Sequence, residues 1–485
     1  MTELPYLELS ILLPLVGAIG MARHPDSEQA RKWSMVITGF TCLFAIGVWQ
    51  ESLAFRSSAG VVLGRWVNGI IGGEVLAVDQ FSAPVLPLVS LLNFLTVGAT
   101  SRTKIRRFSF AWTLLSESIA LAMFSCRQPW LIIALLAAAN VPIYLELKYR
   151  GRHTRVFVLH MGLCIGLLVI GQAFASLGGT GDSAWLLWGV VPLLAAVLIR
   201  SGIAPFHCWM TDLFEHATFG SALLFVTPIA GAYAAVRLVL PIAPEWVLRS
   251  LGLLSLATAV YASGMALIQS DARRFFCYLF LSHSALVLVG LESVSPLGLT
   301  GALCVWLSAA LSLGGFGLSM RGIESRRGRL RISELHGLYD HMPNLAMCFM
   351  LTGLASVGFP GTLGFVGTEL LVDGAVAAYP YVGVVVVIAA AINGIAVVRA
   401  YFNLFGGPSY PSTIPLQIRV RERFAVLTLA LLILLGGVAP QSSIVSRQRA
   451  AEELLRQRES PHAEAESPHV GKSDQDADPG VSRSG

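Results

Sequence analysis

The stretch Ile199–Ser221 reads IRSGIAPFHCWMTDLFEHATFGS. An apolar run, Ala184–Ile199, ends at Arg200, and the next begins at Ala222. Between them Pro205 removes an amide donor and clashes with the preceding turn, so a helix cannot continue through it. His207, Asp212, Glu215 and His216 follow. Ionisable groups this dense are costly in lipid and are tolerated where they face a water-filled cavity or a partner. A helix broken at membrane depth also needs protein or water around its freed backbone groups. The stretch therefore reads as a functional interruption between two membrane helices.

Composition agrees. The 485 residues are 55% hydrophobic and 13% charged, with mean hydropathy +0.68, against about 25% charged in soluble domains. The class is membrane protein, all-α and polytopic, in the bilayer of the cell inner membrane. The formal charge of +5 sits in short loops and does not indicate nucleic acid. Cys42, Cys126, Cys164, Cys208, Cys277, Cys304 and Cys348 are scattered, with no metal-ligand spacing, so no metal and no cofactor is expected. No GxGxxG in a strand–helix setting and no Walker loop points to NADH, flavin or ATP. The N-terminal run Leu4–Met21 lacks a basic lead and a small-residue cleavage site, and reads as a first span.

A span needs about 20 mostly apolar residues. Working outward from the central break, that length yields about 14 candidate helices, from Leu4–Met21 to Phe424–Ala439. Loops rich in Arg and Lys alternate with poor ones. Arg31, Lys32, Arg150, Arg152, Arg273, Arg274, Arg326, Arg329 and Arg421 belong to the rich set, which is expected to be cytoplasmic. An even number of spans puts both termini outside. Gly72-Gly73 in the loop 51–80 predicts an external hairpin. Residues 1–445 read as one transmembrane domain and 446–485 as a polar, disordered tail.

Pro205-Phe206-His207-Cys208-Trp209-Met210-Thr211-Asp212, with Glu215, Thr218 and Ser221, resembles the PLHxWLPDA…PTPVSAL signature of the antiporter-like membrane subunits of respiratory complex I and of Mrp-type cation/proton antiporters. Further ordered motifs carry the same resemblance: Val78-Asp79-Gln80-Phe81-Ser82, Asp271–Tyr278 with Ser282-His283, Gly358–Gly367, Leu404-Phe405-Gly406 and Gly437–Pro440. The likeness covers about residues 4–445. It implies inverted repeats with two broken helices, at Arg200–Pro205 and Phe359–Gly364. It also implies a hydrated mid-membrane proton path, no redox centre in the chain, and other membrane subunits as partners.

The departures are specific. The family's fifth-span glutamate falls on Ala137, with Glu146 nearer the cytoplasmic end. Its seventh-span lysine falls on Arg200, which stays protonated and cannot relay a proton. Its eighth-span histidine falls on Phe225, and its eleventh-span histidine and lysine fall on Ser308 and Ser312. Its twelfth-span acid falls on Thr368, one residue and about 100° of helix from Glu369. The candidate path is Arg200, His207, Asp212, Glu215, His216, His283 and Glu369, with Glu117, Asn393 and Arg399 in support. His283 is the relay candidate because histidine titrates near neutral pH. Glu117 is expected to pair with Arg200, and Glu8 to be solvated at a membrane edge. The structural alternative for Asp212, Glu215 and His216 is a helix start at the membrane surface.

Two functions follow. One is a proton- or cation-translocating subunit of an NADH:quinone oxidoreductase- or Mrp-like complex. The other is a degenerate antiporter fold that anchors or couples another subunit, as in a relative that pairs with a soluble zinc protein for inorganic-carbon uptake.

Overall fold

The structure is a computed structural model that describes residues 4–54, 62–71, 74–101, 105, 108–177, 183–291, 293–408 and 419–466. The first helices are α1 (Tyr6–Ala22) and α2 (Ser27–Ala54). Two short strands follow, β1 (Val62–Leu63) and β2 (Ala77–Val78), paired antiparallel with Val62 opposite Val78. The expected hairpin is thus present as a strand pair, but helix α3 (Arg65–Ile71) occupies the connection, and Gly72-Gly73 lies outside the described residues. Next come α4 (Val85–Gly98), α5 (Phe110–Phe124), α6 (Pro129–Tyr149), α7 (Arg155–Leu177) and α8 (Ser183–Ser201).

After the break come α9 (Cys208–His216), α10 (Phe219–Val226) and α11 (Ala230–Ala234), the last running into a π-helical turn, Ala235–Val239. The chain continues through α12 (Glu245–Ile268), α13 (Ala272–Val289), α14 (Pro296–Arg327), α15 (Pro343–Val357), α16 (Leu363–Ala378), α17 (Pro380–Phe405), α18 (Val420–Val438) and α19 (Gln441–Glu466). Local chemistry sets the ends. Proline occupies the first turn of α6, α14, α15 and α17, where its missing N–H costs nothing. Ser109, Thr218, Asp271 and Ser295 cap their helices through side-chain oxygens.

The sequence-derived spans fall on helices, except that the expected span Ser221–Leu240 is divided among α10, α11 and the π-helical turn, with Ile229 left-handed between the first two. By length and composition, eight helices among the described residues can cross a membrane, or nine if the bent pair α18–α19 is one span. Shorter apolar helices, such as α1, α4, α5 and α15, accompany them. The expected total of about 14 is finer than these lengths establish. Trp33, Leu159, Tyr381, Val384 and Leu431 lie exposed on the outer surface, an apolar belt suited to lipid and not to water. The chain is a polytopic helical membrane protein.

Helices α13 and α14 form the centre: nearly all of α13 and most of α14 are buried, as expected of helices apolar all round. Helix α14 packs most extensively against α16, and missing side chains make that possible. A Cβ on Gly301 would stand 2.4 Å from the Leu371 nitrogen, and one on Gly374 would stand 2.4 Å from the Cα of Gly298. Small residues let membrane helices approach this closely.

The expected domain boundary at 446 falls inside α19. That helix turns 80° from α18 and buries Ala450, Ala451, Leu454 and Leu455. Helical spacing collects these few apolar residues on one face, which a polar composition conceals. Residues 467–485 lie outside the described residues.

Candidate functional site

The first break is built as the sequence implies. Helix α8 ends at Ser201, Gly202 turns the chain at φ 72°, and the Ala204–Pro205 peptide is cis. The freed Ala204 amide donates to Thr258 Oγ1 on α12 at 3.1 Å. Helix α11 lies directly against α8: a Cβ on Gly231 would sit 2.2 Å from Ser201 Oγ. The first part of the interruption, Ser201–Ile203, is thus buried against protein, while Pro205 and Cys208 beyond it are exposed.

Arg200 is buried on the last turn of α8. Its guanidinium lies 4.4 Å from the Phe225 ring centroid and 5.6 Å from that of Trp209. No carboxylate among the described residues pairs with it, and its Nε has no hydrogen-bond partner. The expected Glu117–Arg200 pair does not form. Glu117 is fully buried on α5 with neither carboxylate oxygen hydrogen-bonded. Aromatic faces take the place of a counter-ion, and they hold a desolvated guanidinium by roughly 2 kcal/mol or more.

Beyond the break, His207 precedes α9. Its Nε2 is 3.5 Å from the Tyr261 hydroxyl, and its ring stands 6.0 Å from that of Tyr278. At the far end of α9, His216 Nδ1 is 3.2 Å from Asp212 Oδ1, with the His153 ring 6.3 Å away. Glu215 turns elsewhere, to Arg274 at 2.8 Å, while Arg329 donates to the Glu215 carbonyl at 2.7 Å. Arg273 reaches the Phe214 and Ala217 carbonyls from the same side. The acidic end of α9 thus docks on the basic loops, and for Glu215 the surface-anchor reading describes the geometry better than a mid-membrane relay.

His283 lies at the centre of the bundle, 2% exposed. Its Nδ1 is 2.7 Å from the Leu279 carbonyl, and its ring faces the backbone of Ser356, just before the second break. The adjacent Ser282 Oγ donates to the Ala259 carbonyl at 2.8 Å, and Asn393 Nδ2 donates to Ser282 Oγ at 2.8 Å. Helices α12, α13 and α17 are thereby joined by one polar chain. Asn393 Oδ1 remains buried without a partner, and such a group normally demands a hydrogen-bond donor.

Two expected path members stand apart. Glu369 is exposed on the outer face of α16, while Thr368 is partly buried and bonds back to the Gly364 carbonyl at 2.8 Å. The one-residue offset rotates Glu369 out of the interior. Arg399 donates to the Leu267 carbonyl and so satisfies an orphan acceptor at the end of α12. Ser308 and Ser312 bond to their own helix. Glu8 is 2% exposed, not solvated, because its carboxylate accepts the Trp66 amide at 2.8 Å.

A second buried cluster is absent from the sequence reading. Arg237 grips Asp79 with both terminal nitrogens, at 2.8 and 2.9 Å. Burial pushes the Asp79 carboxyl up, but Arg237, Arg127 and the Ser82 amide outweigh it and hold the group at about 2. Tyr233 stacks on Phe81 and donates to the Cys126 carbonyl at 2.7 Å. Arg447 of α19 closes the cluster on the Phe81 and Gln80 carbonyls, at 3.0 and 2.6 Å. The aspartate in the Val78–Ser82 motif was the only available signal.

Among the described residues no group of three or more His, Cys, Asp or Glu forms a metal-binding cluster. Residues 160–393 match the model of the NADH:quinone oxidoreductase/Mrp antiporter transmembrane family. The chain is 28% identical to NAD(P)H-quinone oxidoreductase chain 4 of Synechococcus elongatus over 76% of its length and 74% of the relative's. It is 25% identical to NADH-quinone oxidoreductase subunit M of Pseudomonas aeruginosa over 90% and 94%. In fold it resembles a chain of the Mrp complex from a Dietzia species, with TM-score 0.82, 18% identity and coverage of 96% and 99%. It also resembles a chain of respiratory complex I from Thermus thermophilus, with TM-score 0.82, 22% identity and coverage of 93% and 99%. Over most of its length the chain is therefore similar to the antiporter-like membrane subunits of NADH:quinone oxidoreductases, and its fold is that of the corresponding chains in Mrp and complex I structures.

Proposed function

We propose that this chain translocates protons, or a cation coupled to them, as one subunit of an NADH:quinone oxidoreductase- or Mrp-like membrane complex, with no redox centre of its own. The carrying observation is a buried histidine, His283, held on the Leu279 carbonyl beside the Asn393–Ser282–Ala259 hydrogen bonds that join α17, α13 and α12. Intramembrane ionisable groups in a bundle interior mark ion paths. The shorter apolar helices, counted with the long ones, support about 14 spans in two inverted repeats. The breaks at Arg200–Pro205 and Phe359–Gly364 would then be equivalent points. In liposomes holding the complex with its native partners, wild type acidifies the lumen and His283→Ala lowers the initial rate at least tenfold. Unchanged rates in His283→Ala would refute this path.

A second reading, a scaffold that retains the fold without conduction, is supported by specific features. Arg200 is stacked between aromatic rings, Ser308 and Ser312 are spent on their own helix, and Glu369 faces outward. A wild-type complex that assembles yet moves no protons would establish it.

A further inference from the structure

Glu146 lies in the last turn of α6 and is 6% exposed. Its Oε1 accepts the amide of Thr218 at 2.9 Å, and Arg150 Nη1 stands 3.6 Å from the same oxygen. Thr218 caps α10, so this carboxylate ties α6 to the far side of the first break.

Two cavities meet at Glu146. One, of 950 Å³, opens at the basic-loop end between α1, α5 and α6, with His24, Tyr149 and Arg152 among its walls. The other, of 30 Å³, is lined by the hydroxyl residues Thr113, Ser116 and Ser221 and by apolar walls that include Trp112, Ile143 and Phe225. Its volume accommodates about two waters, at roughly 10–15 Å³ each. Its hydroxyls supply the polar partners that such waters need. Phe225 is the ring on which Arg200 stacks. The order from the basic end inward is therefore wide cavity, Glu146, small cavity, Phe225, Arg200.

We infer that Glu146 is the proton-intake carboxylate of this chain, standing in a different place from the family position occupied here by Ala137. This rests on the translocating reading above. A hydronium in the wide cavity gives its proton to Glu146: an O–H bond forms on the carboxylate as the hydronium's O–H breaks, leaving water. The carboxylic acid then yields that proton to a water held by Thr113, Ser116 and Ser221, and the carboxylate is restored. Arg150 and the Thr218 amide keep the charged form in place between transfers. The purely structural duty, accepting the Thr218 amide, requires an acceptor and no ionisable group, so Glu146→Gln separates the two roles.

The test uses the complex with its native partners in liposomes, with a luminal pH dye and the complex's own reaction as driver. Equal amounts of assembled complex confirm that each variant folds. Glu146→Gln is expected to lower the initial proton flux at least tenfold. Glu146→Asp, shorter but ionisable, is expected to recover a substantial part of it and to displace the pH dependence of the rate. If wild type pumps and Glu146→Gln matches it, or Gln and Asp behave alike, the intake role is overturned while the translocating reading stands. If wild type assembles and does not pump, both fall.

Discussion

Single residues divide by whether their partners are near in sequence. His283 is legible as a lone titratable group in an apolar helix, and it sits where that reading places it, buried beside Ser282. Arg200 is legible as a buried cation, but its neighbour Phe225 is supplied by packing across the break. Glu369 needs only a helical wheel: the 100° step from Thr368 already argues against the interior. Asp79 and Arg237 are 158 residues apart, and nothing local predicts their pairing. Removing one member of a buried pair leaves an uncompensated charge and costs about 3–5 kcal/mol. Asp79→Ala is therefore expected to lower the thermal midpoint of the detergent-solubilised protein markedly, and an unchanged midpoint would show that the pair contributes nothing. The pH dependence follows in sign. The folded carboxyl is held at about 2, below the unfolded value of about 3.9. Its stabilisation is complete above about pH 4 and is lost as pH falls from about 4 towards 2. Wild type should lose stability over that window more steeply than Asp79→Ala.

At the scale of elements, both interruptions are readable from Pro205 and from the Gly358–Gly361 run, because proline and positive-φ glycine end helices whatever surrounds them. Gly358, at φ 89°, closes α15. Helix α19 is not readable from composition, because its apolar residues are sparse and matter only once a neighbour covers them. The α14–α16 contact is likewise decided in space. Gly301 admits the backbone of α16, and its Cβ would stand 2.4 Å from the Leu371 nitrogen. Gly301→Ala is expected to force these helices apart and destabilise by about 1–3 kcal/mol. The check is the thermal midpoint beside that of Gly264→Ala, a substitution with nothing within 4 Å of its added carbon. Equal midpoints in the two variants would mean that the close approach is not required.

For the whole molecule, the basic loops gather at one end, where Glu215 meets Arg274 and Arg273 pairs with Glu324. The Asp79 cluster and α19 hold a separate region through Arg237 and Arg447. Exposed Glu369 and Asp373 on α16 are poorly suited to lipid and mark this face for water or a partner subunit. Mild-detergent purification of the tagged chain should therefore retain further membrane subunits. Crosslinks from a photoreactive residue at position 369 should fall on one of them, and a monomer without such crosslinks would count against a partner on that face. The chain's hydropathy and its prolines, by themselves, determined that it is a helical membrane protein with broken spans, because water and lipid act on every residue in the same local way. Which charges find counter-ions, which glycines admit a neighbouring backbone and which carboxylate stands between two cavities were decided by tertiary structure alone. Those outcomes depend on groups brought together from distant parts of the chain, within distances that no local pattern encodes.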